Sequence, residues 1–242
     1  MASNPPGPCC AQANFHEGTP VGTFKTLFGV DTYQTGEANG NDRIIVILTD
    51  IFGHKFNNNQ LVADQLAKNN YHVLMPDIFN GDPFIEGGDF AAKLKAWLPQ
   101  HTPEITRPIA DKFLADVKKE YSPKFFGSIG HCYGAKYTIV NLGADGILDA
   151  GAIAHPSYVT VDDVEAIAKP LIISSSENDY IYPTDLRHKT EEILTKNGVR
   201  YESTVYSGVE HGYAVRGDMT KQAVRYAKEK TLADQVCFFS QF

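Results

Sequence analysis

Apolar runs of strand length alternate with segments of helical periodicity along nearly the whole chain. In the clearest run, residues 43–50, most side chains are apolar or β-branched, which is typical of a strand buried on both faces of a parallel sheet. Strands are predicted on this basis at residues 43–50, 71–75, 124–129, 150–154, 170–175 and 200–206. The alternation predicts an α/β fold with a mostly parallel central sheet and helices on both faces.

The segments between these runs carry apolar side chains at helical spacing, as Leu61, Val62 and Leu66 do. Helices are predicted at residues 58–68, 105–120, 135–142, 185–196 and 220–239, and Asn197-Gly198 is a C-cap signal for the fourth. Residues 24–33 are predicted as an antiparallel edge strand. Because catalytic residues of parallel sheets lie in loops at the carboxyl ends of strands, those loops are the place to look for chemistry.

A length of 242 residues suits one large α/β domain better than two small ones. We expect residues 1–22 to form an irregular N-terminal arm and residues 23–242 to form a single domain. Residues 78–102 interrupt the alternation with glycine, proline and aromatic side chains. They are predicted to be a lid or pocket segment, and the alternative is a surface excursion anchored by Trp97.

The net charge of −7 argues against a nucleic-acid partner and gives no sign of attraction to anionic membranes. Without a signal peptide or a long apolar segment, the chain is expected to be cytoplasmic. Its four cysteines form neither a disulfide framework nor a zinc spacing, so no metal or cofactor is expected. The adjacent Cys9 and Cys10 are expected to be a mobile surface pair, and the alternative is a redox or metal role.

One pentapeptide, Gly130-His-Cys-Tyr-Gly134, stands between a predicted strand and a predicted helix. It matches a nucleophile elbow, a tight strand-to-helix turn, with Cys132 in place of the usual serine. Side chains two positions either side of the nucleophile would collide with the backbone there, which explains both glycines. The helix N-terminus that follows favours a thiolate. The alternative is a small buried cysteine in a turn bounded by glycines.

Folds with such an elbow place an acid and then a histidine in loops after later strands. Asp179 follows the predicted strand at 170–175, and His211 follows the one at 200–206. Taken singly, Asp179 could be a turn or cap residue and His211 an exposed loop residue. In the functional interpretation Cys132 attacks a carbonyl as thiolate, His211 takes up its proton and later activates water, and Asp179 orients the imidazole.

Such chemistry also needs two donors for the oxyanion. The backbone N–H of Tyr133, directly after the nucleophile, is one candidate, and that of Ile51, in the loop after the strand at 43–50, is the other. His155 lies at a predicted strand end and either faces the site or is a structural turn residue. His131 is expected to be structural and to point away from the cysteine.

Together these elements resemble the dienelactone hydrolase family, which has the α/β-hydrolase fold. The resemblance extends from about Thr23 to the C-terminus and is closest to a fungal branch of that family. The segments that carry it are Asp50-Ile-Phe-Gly53, Pro76-Asp77, Gly130-His-Cys-Tyr-Gly134, Asp179 and His211-Gly-Tyr213.

The resemblance implies further roles. In the family, the acid at the position of Asp50 contacts the resting cysteine and helps to control its ionisation, and the next residue supplies an oxyanion donor. Members acting on dienelactone clamp the substrate carboxylate with arginines. Arg216 stands near one such position, whereas residues 78–89 contain no arginine for the other. Phe52, Trp97 and His155 are further candidate substrate contacts.

The sequence thus predicts a hydrolase of a small-molecule carboxylic ester or lactone that works through a cysteine thioester. The incomplete clamp does not specify dienelactone itself. The alternative is a cyclase, isomerase or lyase that uses the same scaffold on a metabolite. A non-catalytic binding module would need a broken triad. The expected partner is the small-molecule substrate, and the chain is expected to be a monomer or homodimer.

Overall fold

In the computed structural model, which describes residues 1–242 apart from the side chains of Pro8 and Ala11, the described strands form one eight-stranded sheet. They are β1 (Thr23–Leu27), β2 (Val30–Thr35), β3 (Arg43–Leu48), β4 (His72–Pro76), β5 (Phe125–His131), β6 (Ala150–Ala154), β7 (Leu171–Asn178) and β8 (Tyr201–Glu210). Their order across the sheet is β1-β2-β4-β3-β5-β6-β7-β8. Strands β3 to β8 are parallel, and β1 and β2 are antiparallel. The predicted fold class is confirmed.

The helices are α1 (Asn57–Ala67), α2 (Phe90–Trp97), α3 (Pro103–Tyr121), α4 (Ala135–Val140), α5 (Val161–Glu165), α6 (Thr184–Lys196), α7 (Tyr213–Arg216) and α8 (Gln222–Phe239). The predicted helices correspond to α1, α3, α4, α6 and α8, and Gly198 follows α6 with a φ of 67°. Helices α2, α5 and α7 were not predicted. Helix α2 lies in the irregular segment 78–102, and α5 and α7, with five and four residues, are too short to show a clear apolar period.

Strand β3 shows how the sheet is buried on both faces. Ile44, Val46 and Leu48 lie in one apolar core, which also contains buried side chains of α3, α4 and α6. Ile45 and Ile47 lie in a second core with side chains of α1 and α8. All five are fully buried, as a continuous apolar run predicts.

The prediction of one edge strand over residues 24–33 was wrong. That segment contains the hairpin of β1 and β2, which turns at Phe28 and Gly29. These two residues have φ values of 54° and 83°, the signs required at both central positions of a type I′ turn. Strand β2 pairs with β4, so β1 is the edge.

The N-terminal arm, residues 1–22, lies across the carboxyl ends of the later strands. Its backbone donates hydrogen bonds from Ala2 to Val159 (2.9 Å) and from Asn4 to Ile181 (2.6 Å), in the loops after β6 and β7. Cys10 is fully buried, so the prediction of a mobile surface pair was wrong. Among the helices of the described residues, none has the length and apolar character needed to cross a membrane.

Candidate active site

The strand-to-helix turn at Cys132 is tight. Strand β5 ends directly before Cys132, and α4 begins three residues after it. Cys132 has a φ of 49°, which is strained for a residue with a side chain. A methyl group at Gly130 would lie 2.5 Å from Cα of Ala135, and one at Gly134 would overlap the carbonyl oxygen of Leu48 in β3. Both glycines are therefore required, for the steric reason that the motif predicts.

The structure brings Cys132, His211 and Asp179 together in the predicted order. Nε2 of His211 lies 3.1 Å from Sγ of Cys132, and its Nδ1 lies 2.8 Å from Oδ2 of Asp179. The backbone N–H groups of Ile181 and Tyr182 donate to Oδ1 of Asp179 at 2.9 and 3.0 Å, which fixes the carboxylate. All three side chains are buried, and they come from the ends of β5, β7 and β8.

In this cluster, each charged side chain shifts the pKa of its neighbour toward the ionised form. Burial disfavours a thiolate at Cys132, but a hydrogen bond from Cys10 and the positive charge of His211 hold its pKa well below the ordinary value. Burial also disfavours the imidazolium, yet the charges of Cys132 and Asp179 raise the pKa of His211 to about 10. The pKa of Asp179 is lowered despite burial, because the charge of His211 favours the carboxylate. These shifts favour a thiolate at Cys132 and an imidazolium at His211.

The two candidate oxyanion donors lie in loops that are fixed by hydrogen bonds. The N–H of Ile51 has no hydrogen-bond partner among the described residues. Its peptide group is held because the N–H of Gly53 donates to the carbonyl of Asp50 at 3.1 Å. Tyr133 is anchored by its phenol, which donates to the carbonyl of His101 and lies 2.8 Å from Oγ1 of Thr106. The free N–H of Ile51 suits it to receive developing negative charge.

Asp50 is engaged away from Cys132. Its Oδ2 lies 2.5 Å from Nη1 of Arg216, and its Oδ1 accepts a hydrogen bond from Asn59 at 3.1 Å. Burial raises the pKa of Asp50, and the charge of Arg216 opposes that rise. The hydrogen bonds described for Asp50 do not include the cysteine contact that the family resemblance implies, and its side chain is one methylene shorter than the family's glutamate.

Arg216 forms this ion pair with Asp50 and also lines a cavity beside His211. Its Nε and Nη2 have no partner among the described residues, although the side chain is buried. Its guanidinium carbon lies 5.7 Å from the ring centroid of Phe52. Arg216 also lines a cavity of about 150 Å³ together with Cys9 and His211. Arg216 thus places a positive charge beside this cavity.

Two other candidate substrate contacts, Phe52 and Trp97, are buried among aromatic side chains. Phe52 packs against Phe56 and Phe84, with ring centroids 5.0 and 5.9 Å away. Trp97 stacks on His101 at 3.9 Å, and its indole N–H donates to the carbonyl of Asp82. Neither Phe52 nor Trp97 lines the cavity beside His211. Residues 78–102 contribute this aromatic packing and contain α2.

His155 faces the candidate site. Its ring centroid lies 4.9 Å from that of His211, and both of its ring nitrogens lack hydrogen-bond partners among the described residues. Burial lowers the pKa of His155 to about 4, so the ring is neutral. His131 is buried behind it and stacks on it at 6.1 Å.

Two neighbours of the cysteine were missed by the sequence analysis. Sγ of Cys10 lies 3.5 Å from Sγ of Cys132, and Oγ of Ser157 lies 3.7 Å from it. Ser157 belongs to the segment after β6 that also supplies His155, and this strand end was the available signal. No comparable signal pointed to Cys10, because its position depends on where the arm folds back.

The same atoms form a possible set of ligands for a soft metal ion. The ligand atoms of Cys132, His155 and His211 all lie within 4.8 Å of one another, and so do those of Cys9, Cys10 and His211. Thiolate and imidazole are ligands that zinc and copper(I) accept. A metal here would have to replace the hydrogen bond between His211 and Cys132.

An eight-stranded, mostly parallel sheet with a strained turn after β5 and helices on both faces defines an α/β-hydrolase fold. The sequence model of the dienelactone hydrolase family matches residues 30–242, and the chain belongs to that family. The resemblance predicted from the sequence is confirmed, and the family is one of hydrolases.

Relatives with full-length similarity include fungal hydrolases. The chain is 38% identical to hydrolase tropI of Talaromyces stipitatus, over 100% of this chain and 98% of that protein. It is 32% identical to dienlactone hydrolase 1 of Gibberella moniliformis, over 95% and 91% of the two chains. The fold is similar to that of dienelactone hydrolase from Anabaena variabilis, with a TM-score of 0.65 at 10% identity over 94% of this chain and 99% of that one.

Proposed function

We propose that the protein hydrolyses a small-molecule carboxylic ester or lactone through a thioester on Cys132. The observation that carries this proposal is the hydrogen-bonded chain from Cys132 through His211 to Asp179, with contacts of 3.1 and 2.8 Å. A base within reach of the nucleophile, itself oriented by a third group, is the arrangement that covalent catalysis needs.

In the first step the thiolate of Cys132 attacks the carbonyl carbon of the substrate. The N–H groups of Ile51 and Tyr133 stabilise the oxyanion. His211 gives its Nε2 proton to the departing alkoxide as the C–O bond breaks, so an ester releases an alcohol and a lactone opens. Because the resting pair is already ionised, no proton has to leave the thiol during the attack.

In the second step neutral His211 takes a proton from water, and the resulting hydroxide attacks the thioester. The C–S bond breaks, the carboxylic acid leaves, and Cys132 returns to thiolate beside the imidazolium. Asp179 keeps the imidazole oriented throughout and stabilises its positive form.

The cavity beside His211 favours a small substrate that carries a negative charge. Its volume of about 150 Å³ and the guanidinium of Arg216 in its lining support this. A guanidinium binds a carboxylate well.

The test is a panel of esters, lactones and thioesters, with and without a neighbouring carboxylate. We expect Cys132→Ala to lose about 10³-fold or more of the wild-type kcat, since the nucleophile is removed. Cys237→Ser, at an exposed cysteine, serves as the matched control and should keep full activity. A substrate-derived mass adduct on Cys132 and incorporation of ¹⁸O from labelled water into the acid are expected. Full activity of Cys132→Ala would contradict the mechanism, and turnover without ¹⁸O would indicate a cyclase, isomerase or lyase.

A further inference from the structure

Two sulfur atoms meet at the bottom of the candidate site. Sγ of Cys10 lies 3.5 Å from Sγ of Cys132, and both side chains are fully buried. Cys10 forms or breaks no bond in the hydrolytic mechanism, where its part is the hydrogen bond that helps to lower the pKa of Cys132. A second thiol in contact with a thiolate nucleophile therefore needs a separate explanation.

The fold holds Cys10 in this place from both sides. Upstream, the N–H of Asn4 donates to the carbonyl of Ile181, and downstream the N–H of Asn14 donates to that of Arg216 at 3.0 Å. Between them, the N–H of Cys9 donates to the phenol oxygen of Tyr180 at 3.2 Å. The contact between the sulfurs is thus fixed by loops that follow β7 and β8.

We propose that a hydroperoxide converts Cys10 and Cys132 into a disulfide, which closes the active site reversibly and protects Cys132 from irreversible oxidation. The proposal rests on the proposed function only in taking Cys132 as the reactive thiolate. It assigns a modification site to the N-terminal arm.

The reaction has two steps. The thiolate of Cys132 attacks the terminal oxygen of the hydroperoxide, the O–O bond breaks, and the alkoxide leaves as an alcohol, or as water when the oxidant is H₂O₂, with the proton of His211. Cys132 is then a sulfenic acid. The sulfur of Cys10 attacks this sulfur, the S–O bond breaks, and the hydroxide leaves as water with the thiol proton of Cys10. In sum, one hydroperoxide is reduced and two cysteines are oxidised.

The surroundings of the two sulfurs suit these different roles. The positive charge of His211 favours the thiolate at Cys132, which the first step needs, and its Nε2 lies 3.1 Å away to supply the proton. Burial keeps the pKa of Cys10 raised, so Cys10 stays a thiol until the sulfenic acid has formed. A disulfide bond is about 2.05 Å long, so the sulfurs must approach by roughly 1.5 Å. We expect side-chain rotation with a small shift of the arm to close this gap.

The cavity of about 150 Å³ lets an oxidant reach Cys9 and His211, which adjoin Cys10 and Cys132, although neither of these two cysteines lines it. Hydrogen peroxide is little larger than water and smaller than any ester that the site would have to admit. Cys9 belongs to the group of ligand atoms around Cys10 and His211, whereas no contact joins it to Cys132 among the described residues. Cys10 is therefore the partner that the geometry selects.

The test treats the full chain with H₂O₂ in the presence of a metal chelator, blocks free thiols and digests with trypsin. Cleavage after lysine places Cys10 in the peptide of residues 1–25 and Cys132 in that of residues 125–136. We expect these two peptides to be linked, with a mass lower by two hydrogen atoms than their sum. Activity should fall as the link forms and return after dithiothreitol.

Three variants make the test specific, each compared with its own untreated activity. Cys9→Ser should still form the link, because the peptide of residues 1–25 then retains only Cys10. Cys10→Ser and Cys10→Ala should form no link, should accumulate sulfinic acid on Cys132, and should recover only a minor part of their activity with dithiothreitol.

Three results would overturn the proposal. They are direct oxidation of wild-type Cys132 to sulfinic acid without a link, a link that requires Cys9, and recovery of the Cys10 variants as complete as that of wild type. The linked peptide is detected by its mass and therefore without any assay of hydrolysis. If it forms while Cys132→Ala still hydrolyses its substrate, the proposed function fails and the modification site stands.

Discussion

At the scale of single residues, the defining feature of the site is that the groups around Cys132 favour its thiolate before any substrate arrives. The imidazolium of His211 and the thiolate each shift the pKa of the other in the direction that favours ionisation. Asp179 adds to this through its hydrogen bond to Nδ1. These shifts favour a resting His211 that holds the proton needed by the leaving group.

This ion pair predicts the pH dependence of hydrolysis. Since His211 has a pKa of about 10 and must be protonated to release the alcohol, kcat/KM should stay high until the pH rises through that value and should fall above it. In Asp179→Asn the carboxylate that raises this pKa is gone, so the alkaline fall should begin at lower pH. The value of kcat should also drop by about 10²–10⁴-fold.

The measurement is a pH profile of kcat/KM on one ester, for wild type, Asp179→Asn and the matched control Asp185→Asn. Asp185 is exposed at the start of α6, so its variant should follow wild type. An unchanged alkaline limb in Asp179→Asn would show that Asp179 does not govern the protonation of His211.

At the scale of elements, the N-terminal arm is the cover of the site. It contacts the loops after β6, β7 and β8 through backbone hydrogen bonds, and its own residues Ala2 and Cys10 are fully buried. Cys132 is fully buried in this closed arrangement. We therefore expect a substrate to reach the sulfur when the arm moves aside.

Removal of residues 2–15 should expose Cys132 and leave His16, which donates to Asn58 at 2.9 Å, in place. We expect iodoacetamide to alkylate Cys132 several-fold faster in the shortened chain than in wild type. The measurement is the mass of the tryptic peptide of residues 125–136 over time.

Cys237 is an internal control in this experiment. It is exposed in α8 and should react at the same rate in both chains, provided that the shortened chain is folded. Equal alkylation rates at Cys132 in the two chains would mean that the arm does not restrict access.

At the scale of the whole molecule, the ion pair between Asp50 and Arg216 joins the centre of the sheet to its far edge. Asp50 follows β3, Arg216 ends the helix after β8, and the two residues are 166 positions apart in the chain. Both side chains are buried. Removing one partner leaves a buried charge uncompensated, which is costly.

Arg216→Met should lower the free energy of unfolding by about 3–5 kcal/mol at neutral pH. Burial already raises the pKa of Asp50, and loss of the guanidinium raises it further. A carboxyl group whose pKa is higher in the folded than in the unfolded state takes up a proton on folding. The deficit should therefore shrink as the pH falls through the folded-state pKa.

Urea denaturation at neutral and acidic pH measures this effect. Arg225→Met, at an exposed arginine of α8, is the matched control and should change stability by less than about 0.5 kcal/mol. The double variant Asp50→Asn, Arg216→Met should lose less than the sum of the two single variants. Additive losses would show that the pair does not stabilise the fold.

The sequence predicted those parts of the molecule that depend on local pattern. The strands of the parallel sheet are continuous apolar runs, and Gly130 and Gly134 mark the turn because the backbone leaves no room for a methyl group. The order of Asp179 and His211 followed from the topology of the fold. The assignments of the other site residues, a cytoplasmic location and a monomeric or dimeric state stay predictions.

The parts that could not be predicted depend on contacts between distant segments. The arm is held by backbone N–H groups, which every residue except proline possesses, so no side-chain pattern encodes where it lies. The partner of Asp50 could not be read from a strand-end motif, because any of several cations in later loops would have satisfied the same carboxylate. The prediction for Cys10 was wrong because its position depends on these backbone hydrogen bonds of the arm.

The position of Trp97 has a practical consequence. It is the one tryptophan of the chain and the last residue of α2. Helix α2 packs against the turn Pro8–Ala11 of the arm. The ring of Trp97 lies 6.1 Å from that of Tyr133, the residue after Cys132. Its intrinsic fluorescence is therefore expected to change when the arm moves relative to the turn that carries Cys132. Stopped-flow emission spectra can follow opening, ligand entry and closure in the unlabelled protein, separately from the chemical steps that follow.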